Sequence, residues 1–582
     1  MNSLVLMVVG LAMVLAGYFL YSKFLANRVY RLDETYRTPS HEMRDGVDYV
    51  PTNKFVLWGH HFTSVAGAAP IVGPAIAVIW GWVPAFLWVT LGTVFFAGMH
   101  DMGALWASVR NKGRSMGMLS GRYIGARGRG LFLVVIFLLL LMVIAAFAVV
   151  IKNLLIATPT SVIPVWGAIA VAAVIGQMIY RWKINLLVTT VIGVVALYSL
   201  ILVGDRFPVV LPDPILGMSP ATFWIVALFV YAGIASLLPV WVLLQPRDYI
   251  NGVQLFIGLG ILYGAVLFST PAVVAPAFNE NVPADTPSLV PLLFVTIACG
   301  AISGFHGMVS SGTSSKQLDK ETDGRFVGYF GAVGEGMLAL GAIIATTAGF
   351  RTVADWEAVY SSFAVNGVGA FVDGGAAIVN AGLGIPASLS ATILATMAVL
   401  FAATTMDTGV RLQRFVVQEA GELAGVRVNK GVGTVVVLVV AMGLVFSSGG
   451  EGDGGLLIWP LFGTTNQLLA SLTLAVVAVI LLRKKRNPLP VLIPLVFVLV
   501  MSIYALVVQL GTFWADQSWL LLVLDVIILV ASLWVSVEAA AAMNAARKGS
   551  FDPESDEPVP TGTSAAGTGA AGASGGKPSK EA

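Results

Sequence analysis

Glu335 stands inside an apolar run, GYFGAVGEGMLALGA, with Gly328, Gly331, Gly334 and Gly336 around it. A charge at the centre of a bilayer costs at least ~2.5–3.5 kcal/mol on insertion scales, so an acid placed there is a functional candidate. Glycines let a neighbouring backbone close over it. Such a carboxyl can take up and release a proton, as proton coupling requires; a packing hydrogen bond to a neighbouring helix is the other reading. Four of the five histidines lie in or beside apolar runs: His60, His61, His100 and His306. Adjacent residues diverge by ~100° on a helix, so His60 and His61 cannot both face one ligand. One of them faces a cavity, with Ser64, as substrate contact or proton-sensitive gate. His306 lies between Gly304 and Gly307 and is a substrate-site candidate. His100 and Asp101 either pair as a dyad or are simply solvated at a helix end.

The segment 298–325, ACGAISGFHGMVSSGTSSKQLDKETDGR, is rich in hydroxyls. Ser310, Ser311, Ser314 and Ser315 supply the oxygen ligands that Na⁺ prefers. Lys316 follows directly and could replace the cation with a fixed or protonatable charge. Snorkelling at the membrane surface accounts for Lys316 equally well. Asp407 and Arg411 are four apart on a helix and can pair as an inner gate or as a static surface pair. The single cysteine, Cys299, rules out a cysteine-based zinc site, and no H-E-x-x-H pattern occurs, so no metal and no cofactor is expected. No phosphate-binding G-x-x-x-x-G-K-[ST] loop is present, so the chain does not itself use ATP. No clustered catalytic set can be assembled, and the expectation is a protein that is not an enzyme.

The elements that must carry these residues follow from composition. Of 582 residues, 57% are hydrophobic and 11% charged, against ~45–50% and ~25% in soluble proteins. A cytosolic enzyme and a nucleic-acid binder are excluded. Apolar runs long enough to span a bilayer fall near 3–22, 58–79, 82–106, 130–152, 162–180, 184–204, 220–243, 251–273, 289–311, 327–349, 386–406, 431–448, 455–482, 489–510 and 517–540. The fold class is an all-α polytopic membrane protein with about fifteen transmembrane helices. With the N-terminus outside, 30 of the 33 Lys and Arg residues fall on the inner side. Counting the Gly-rich segment 366–384 as a full span would invert everything after it, so it reads as one re-entrant segment. The basic loop at 107–129 either meets anionic membrane lipid or only fixes topology.

A membrane helix is interrupted where freed backbone lines a site. The second run carries Pro70 and Pro74 around Gly73, after Gly67; the seventh carries Pro239 mid-run and Pro246 at its inner end, near Gly233 and Ser236. Four spans lie between the two, so they occupy first positions of two five-helix units, as a five-plus-five inverted-repeat transporter core would require. The division is then 1–57, first helix and cytoplasmic loop; 58–406, transporter core; 407–548, cytoplasmic loop and four C-terminal helices; and 549–582, a Gly/Ala/Ser-rich disordered cytoplasmic tail.

Several long motifs carry a family resemblance. WGHHFTSVAGAAPIVGPAIA (58–77), FFAGMHDMGALWASVRNKGRSMG (95–117), GRYIGARGRG (121–130), ISGFHGMVSSGTSSKQ (302–317), ATTMDTGVRLQRFVVQE (403–419) and LFGTTNQLLASLTL (461–474) resemble the carbon starvation protein A family. The match runs in order over roughly 5–545, and the chain is shorter than the longest members towards its C-terminus. The resemblance implies a secondary transporter of the bacterial cytoplasmic (inner) membrane, used when preferred carbon runs out. Members are associated with uptake of peptides and, in some cases, of pyruvate with protons.

The expected activity is import of small carboxylate-bearing nutrients by alternating access, coupled to H⁺ in preference to Na⁺. Glu335 or the 310–316 region would carry the coupling charge. Substrate would meet His60, Ser64, Gly67, Gly73, Gly233, Ser236 and His306. The alternative is a membrane receptor that senses the same ligand without moving it. Peptide and pyruvate stay open, with sparse acids near the broken helices favouring pyruvate, and so does the oligomeric state.

Overall fold

The computed structural model describes residues 2–549; the expected tail lies outside them apart from Gly549. Among the described residues the chain is helical, with four isolated bridges and no strand. The helices are α1 (Ser3–Val29), α2 (Lys54–Ala66), α3 (Ala69–Trp80), α4 (Trp82–Val109), α5 (Ala126–Ala157), α6 (Pro159–Arg181), α7 (Leu186–Arg206), α8 (Pro220–Leu237) and α9 (Leu244–Ser269). After them come α10 (Leu289–Thr296) and α11 (Gly304–Gly312). Then follow α12 (Glu321–Ala348), α13 (Gly367–Leu383), α14 (Ala387–Leu423), α15 (Lys430–Val445), α16 (Trp459–Arg483), α17 (Leu489–Ala515) and α18 (Trp519–Lys548), with short helices at Pro39–Glu42, Met116–Tyr123, Val353–Val359 and Gly454–Leu457 in the connections. Twelve are long and apolar enough to cross a membrane, and the bent pair α2–α3 makes a thirteenth. The other two of the fifteen expected runs appear as the 16-residue α15 and the split pair α10–α11.

Burial grades from the centre outward. In α12 and α16 about nine-tenths of the apolar stretch is enclosed (89% and 94%), whereas α7 and α18 keep most of theirs exposed. Val191, Val195 and Leu202 of α7 and Val523, Val530 and Val537 of α18 are uncovered. Large apolar side chains turned outward along whole helices are the signature of a lipid-facing rim.

The α2–α3 break follows from local chemistry. Gly67 has φ +57° and ψ −156°, a backbone that side chains with a Cβ rarely adopt. A Cβ there would also lie 2.7 Å from Thr405 Oγ1. The helix restarts with Pro70 in its first turn, bent by 45°.

The second broken span is not the one expected. Leu238 is extended, and α8 simply ends before Pro239, which has no N–H to extend a helix. Pro246 is the third residue of α9, where a proline costs little. The interruption lies instead at 297–303, between α10 and α11. Six spans, not four, separate it from α2–α3, so repeat units counted from Pro239 do not stand.

The helix ends sort into two layers. Trp82 N–H bonds Pro276 O at 3.1 Å and Val274 N–H bonds Thr347 O at 2.9 Å, which brings the C-terminal ends of α3, α9 and α12 together. α13 runs from the first turns of α3 to that end: a Cβ built on Gly367 would meet Val72, and Cβ atoms built on Gly374 and Gly382 would meet Ala345 and Ala265, near the ends of α12 and α9. At the opposite end the basic loops touch one another. Arg110 pairs with Glu321 (2.6 Å), Arg129 with Glu419 (2.8 Å), and Thr52 N–H bonds Gln317 O (3.1 Å).

Candidate functional site

The two helix breaks abut. A Cβ on Gly73 would lie 2.4 Å from Thr296 O, so only glycine lets α3 approach the end of α10 this closely. Carbonyls freed by the second break are taken up locally: Thr93 Oγ1 donates to Gly300 O at 2.9 Å, and Trp88 Nε1 to Ile297 O at 3.2 Å.

Beside the breaks lies a fully buried titratable cluster. Asp101 of α4 joins two histidines, with Oδ1 2.8 Å from His100 Nδ1 and Oδ2 2.8 Å from His306 Nδ1. The far nitrogen of His306, on α11, is 3.2 Å from Glu335 Oε2 on α12. Asn466 of α16 anchors the mouth of α11. It accepts from Phe305 N–H at 2.9 Å and from Ser303 Oγ at 3.1 Å, and donates to Cys299 Sγ at 3.1 Å. Cys299, His306 and Glu335 present ligand-type atoms within 4.8 Å of one another. His306 and Glu335 face each other at ion-pair distance, and Asn466 engages the thiol, so the geometry is that of a buried chain of titratable groups. A histidine hydrogen-bonded to one carboxylate and facing a second at 3.2 Å suits proton passage between them.

A second buried cluster sits on the opposite face of α2. His60 Nδ1 is 2.7 Å from Asp248 Oδ2. Arg247 bonds Asp248 Oδ1 through Nε (2.9 Å) and Nη2 (2.6 Å), and reaches Asp407 and the Tyr231 hydroxyl through Nη1. Ser64 joins at 3.4 Å from Asp248 Oδ2 and 3.3 Å from Thr408 Oγ1. His61 turns the other way, to Ser314 Oγ at 2.8 Å. The adjacent histidines therefore face different partners, as helical geometry requires.

The structure separates several residues that the sequence grouped. The pair Asp407–Arg411 does not form: Asp407 is held by Arg247, while Arg411 reaches Asp48 (3.0 Å) and Leu238 O (3.1 Å). Both side chains leave α14 towards different neighbours, and the forked guanidinium of Arg247 engages Asp407 and Asp248 together. The serines do not converge on a cation. Ser311 Oγ donates to Gly307 O (2.7 Å), Ser315 bonds Ser108 (2.8 Å), Ser314 meets His61, and Ser310 Oγ is buried without a hydrogen-bond partner. Lys316 lies over the Phe415 and Tyr49 rings (4.8 and 5.5 Å), away from His306. In that loop layer burial pushes the Tyr49 phenol up to about 12, so it stays a neutral donor, to Lys112 O at 3.3 Å. Gly233 and Ser236 face α15 and their own helix, since α8 is unbroken. Gly67, Gly73, His60, Ser64, His306 and Glu335 do border the breaks or the two clusters.

Arg247 and Asp248 went unnoticed in the sequence because QPRDY reads as a short inner loop. The signal was there: a Pro–Arg–Asp run opening an apolar helix.

At the end where α3, α9 and α12 meet, a cavity of about 730 Å³ descends to Val72 and Thr296, beside the contact between the breaks.

A model of the carbon starvation protein CstA family matches residues 2–365 and 351–505. The chain belongs to this family. It is 32% identical to the peptide transporter CstA of Helicobacter pylori, with 86% of this chain and 81% of that one covered. For the peptide transporter CstA of Bacillus subtilis the figures are 32%, 87% and 90%. The pyruvate/proton symporter BtsT of Escherichia coli is 29% identical, with 88% of this chain and 82% of its own covered. A solved manganese transporter of Eremococcus coleocola aligns over 87% of the chain and 99% of its own at 12% identity, with a TM-score of 0.44. Within the CstA family, then, this chain sets a histidine between two carboxylates beside a pair of abutting helix breaks.

Proposed function

We propose that this CstA-family chain is a proton-coupled secondary transporter that imports small carboxylate-bearing nutrients, short peptides or pyruvate, across the bacterial cytoplasmic membrane. The observation that carries the reading is His306 held between Asp101 and Glu335, fully buried, beside two broken spans. Intramembrane ionisable groups paired in this way mark proton relays, and paired broken helices mark transporter sites. The relatives' names, a peptide transporter and a pyruvate/proton symporter, support the same class.

Glu335 and His306 carry the coupling proton, oriented by Asp101. The backbone freed at Gly67, with Ser64 about one turn and His60 about two turns away, borders the substrate path together with Gly73. The salt bridges Arg247–Asp407 and Arg411–Asp48 close the basic-loop end, while the cavity opens at the other. Placing the basic loops in the cytoplasm puts the N-terminus outside and the C-terminus inside, and makes this an outward-facing state. Residues 58–406 then form the moving core, with 1–57 before it and 407–548 packed around it. Dispersed serines and a displaced Lys316 support H⁺ over Na⁺; Ser314 serves to orient His61. The test is accumulation of ³H-dipeptide or ¹⁴C-pyruvate by proteoliposomes under an imposed pH or Na⁺ gradient. Uptake driven by Na⁺ and indifferent to pH would overturn the coupling assignment.

A further inference from the structure

Cys299, His306 and Glu335 stand on three elements: the break at 297–303, the first turn of α11 and the middle of α12. All three side chains are buried, and their ligand-type atoms lie within 4.8 Å of one another. His306 Nε2 is 3.2 Å from Glu335 Oε2, yet neither that nitrogen nor either Glu335 oxygen makes a hydrogen bond. Unpartnered polar atoms this deep in a protein are costly, and here they are gathered beside a thiol.

The spacing suits a shared ion. Zinc–nitrogen and zinc–oxygen bonds of about 2.0–2.2 Å set tetrahedral ligand atoms about 3.3–3.6 Å apart, close to the observed 3.2 Å. The thiol needs a bond of about 2.3 Å, and it sits on irregular backbone that can yield the remaining distance. The surroundings suit an ion as well. His306 gives its other nitrogen, Nδ1, to Asp101 at 2.8 Å, the arrangement that fixes a ligating ring with Nε2 turned to the metal. Asn466 Nδ2 donates to the sulfur at 3.1 Å, a contact that steadies a thiolate. Thiolate and carboxylate together match the two charges of a divalent cation, so ligands and ion bury no net charge. Sulfur and imidazole select Zn²⁺ and Co²⁺ over Mg²⁺ and Ca²⁺, which take oxygen ligands. A cysteine-only site needs several thiols. Here one thiol is completed by two other residue types, a set that no sequence spacing displays. The cavity of about 730 Å³ reaches Thr296, three residues before Cys299.

We propose that Cys299, His306 and Glu335 form a binding site for a divalent transition-metal ion of the Zn²⁺ class, positioned by Asp101 and Asn466. The fourth tetrahedral position is left to water. On binding, the Cys299 S–H bond breaks, its electron pair goes to the metal and its proton leaves to solvent. The filled site ties the break at 297–303 to α12 and occupies both groups assigned to the coupling proton, so the ion is a brake on transport. That consequence rests on the transporter reading above; the binding itself does not.

Co²⁺ titration of the purified, chelator-stripped full-length protein tests the site without reference to transport. One Co²⁺ per chain should bind with a thiolate-to-metal charge-transfer band, which added Zn²⁺ removes by displacement. Asp101→Asn, which leaves all three ligands in place, should weaken Zn²⁺ binding about 10–100-fold in calorimetry. Cys299→Ser, nearly unchanged in volume, should abolish the band and weaken Zn²⁺ binding at least as much, with the metal-free unfolding midpoint unmoved. Absence of the band, or unchanged Zn²⁺ affinity in Cys299→Ser, would overturn the site and place any bound ion elsewhere, as on the exposed His41–Asp319 pair. Gradient-driven uptake is read alongside. Zn²⁺ that fills the wild-type site should suppress it, and uptake indifferent to the bound ion would overturn the brake. Cys299-dependent Zn²⁺ binding in a protein that accumulates no substrate upholds the site and refutes the transporter.

Discussion

His306 Nε2 lies 3.2 Å from Glu335 Oε2, and the pair joins α11, the second half of a broken span, to the most central part of α12. A proton taken up or released by this pair changes the charge where the two helix breaks and a titratable cluster meet. Glu335→Gln should therefore abolish uphill uptake driven by a pH gradient while leaving substrate counterflow within about threefold, because exchange needs no net proton movement. Full gradient-driven uptake by this variant would remove Glu335 from the coupling role.

Arg247 ion-pairs with both Asp248 and Asp407 in a buried setting. Removing one partner of a buried ion network costs about 3–5 kcal/mol, so Arg247→Ala should lower the unfolding midpoint of the detergent-solubilised protein markedly. Adding Asp407→Asn should restore part of the loss. Equal midpoints for wild type and Arg247→Ala in thermal denaturation would contradict the network.

Gly73 has no room for a side chain against Thr296 O. Gly73→Val should push α3 from α10 and cost about 1–3 kcal/mol, as overpacking does. Gly443, whose built Cβ meets nothing within 4 Å, is the control. A Gly73→Val protein as stable as Gly443→Val would refute the close contact.

The arrangement of loops predicts which sites reach the outside. In a Cys299→Ser background, Asp355→Cys should react with a membrane-impermeant maleimide in intact cells, and Glu422→Cys only after permeabilisation. The reverse pattern would invert the topology.

Much of the fold was readable because lipid imposes a simple rule: every long apolar run had to be a helix. The break at Gly67 and Pro70 was equally legible, since both residues act on the local backbone. Pro239 misled because a proline marks the end of a helix as readily as a kink inside one, and only packing distinguishes the two. The break at 297–303 was visible as an irregular, hydroxyl-rich stretch, but its partnership with α2–α3 depends on contact across some 230 residues. For the site, Glu335 and His306 stood out as polar groups in apolar runs. The chain Asp101–His306–Glu335 did not, because it joins three helices. Arg247 escaped for a different reason: at a helix start, a buried arginine and a solvated one look alike in sequence. The i,i+4 spacing of Asp407 and Arg411 was real, but stronger partners elsewhere, Arg247 on α9 and Asp48 in the loop before α2, claimed both.

The most direct test of the account is initial-rate uptake in proteoliposomes under an imposed proton gradient, with Glu335→Gln compared against wild type. The account predicts concentrative, pH-driven accumulation by wild type that collapses to equilibration in Glu335→Gln. Accumulation of equal extent in both, or accumulation that follows a Na⁺ gradient and ignores pH, would contradict it.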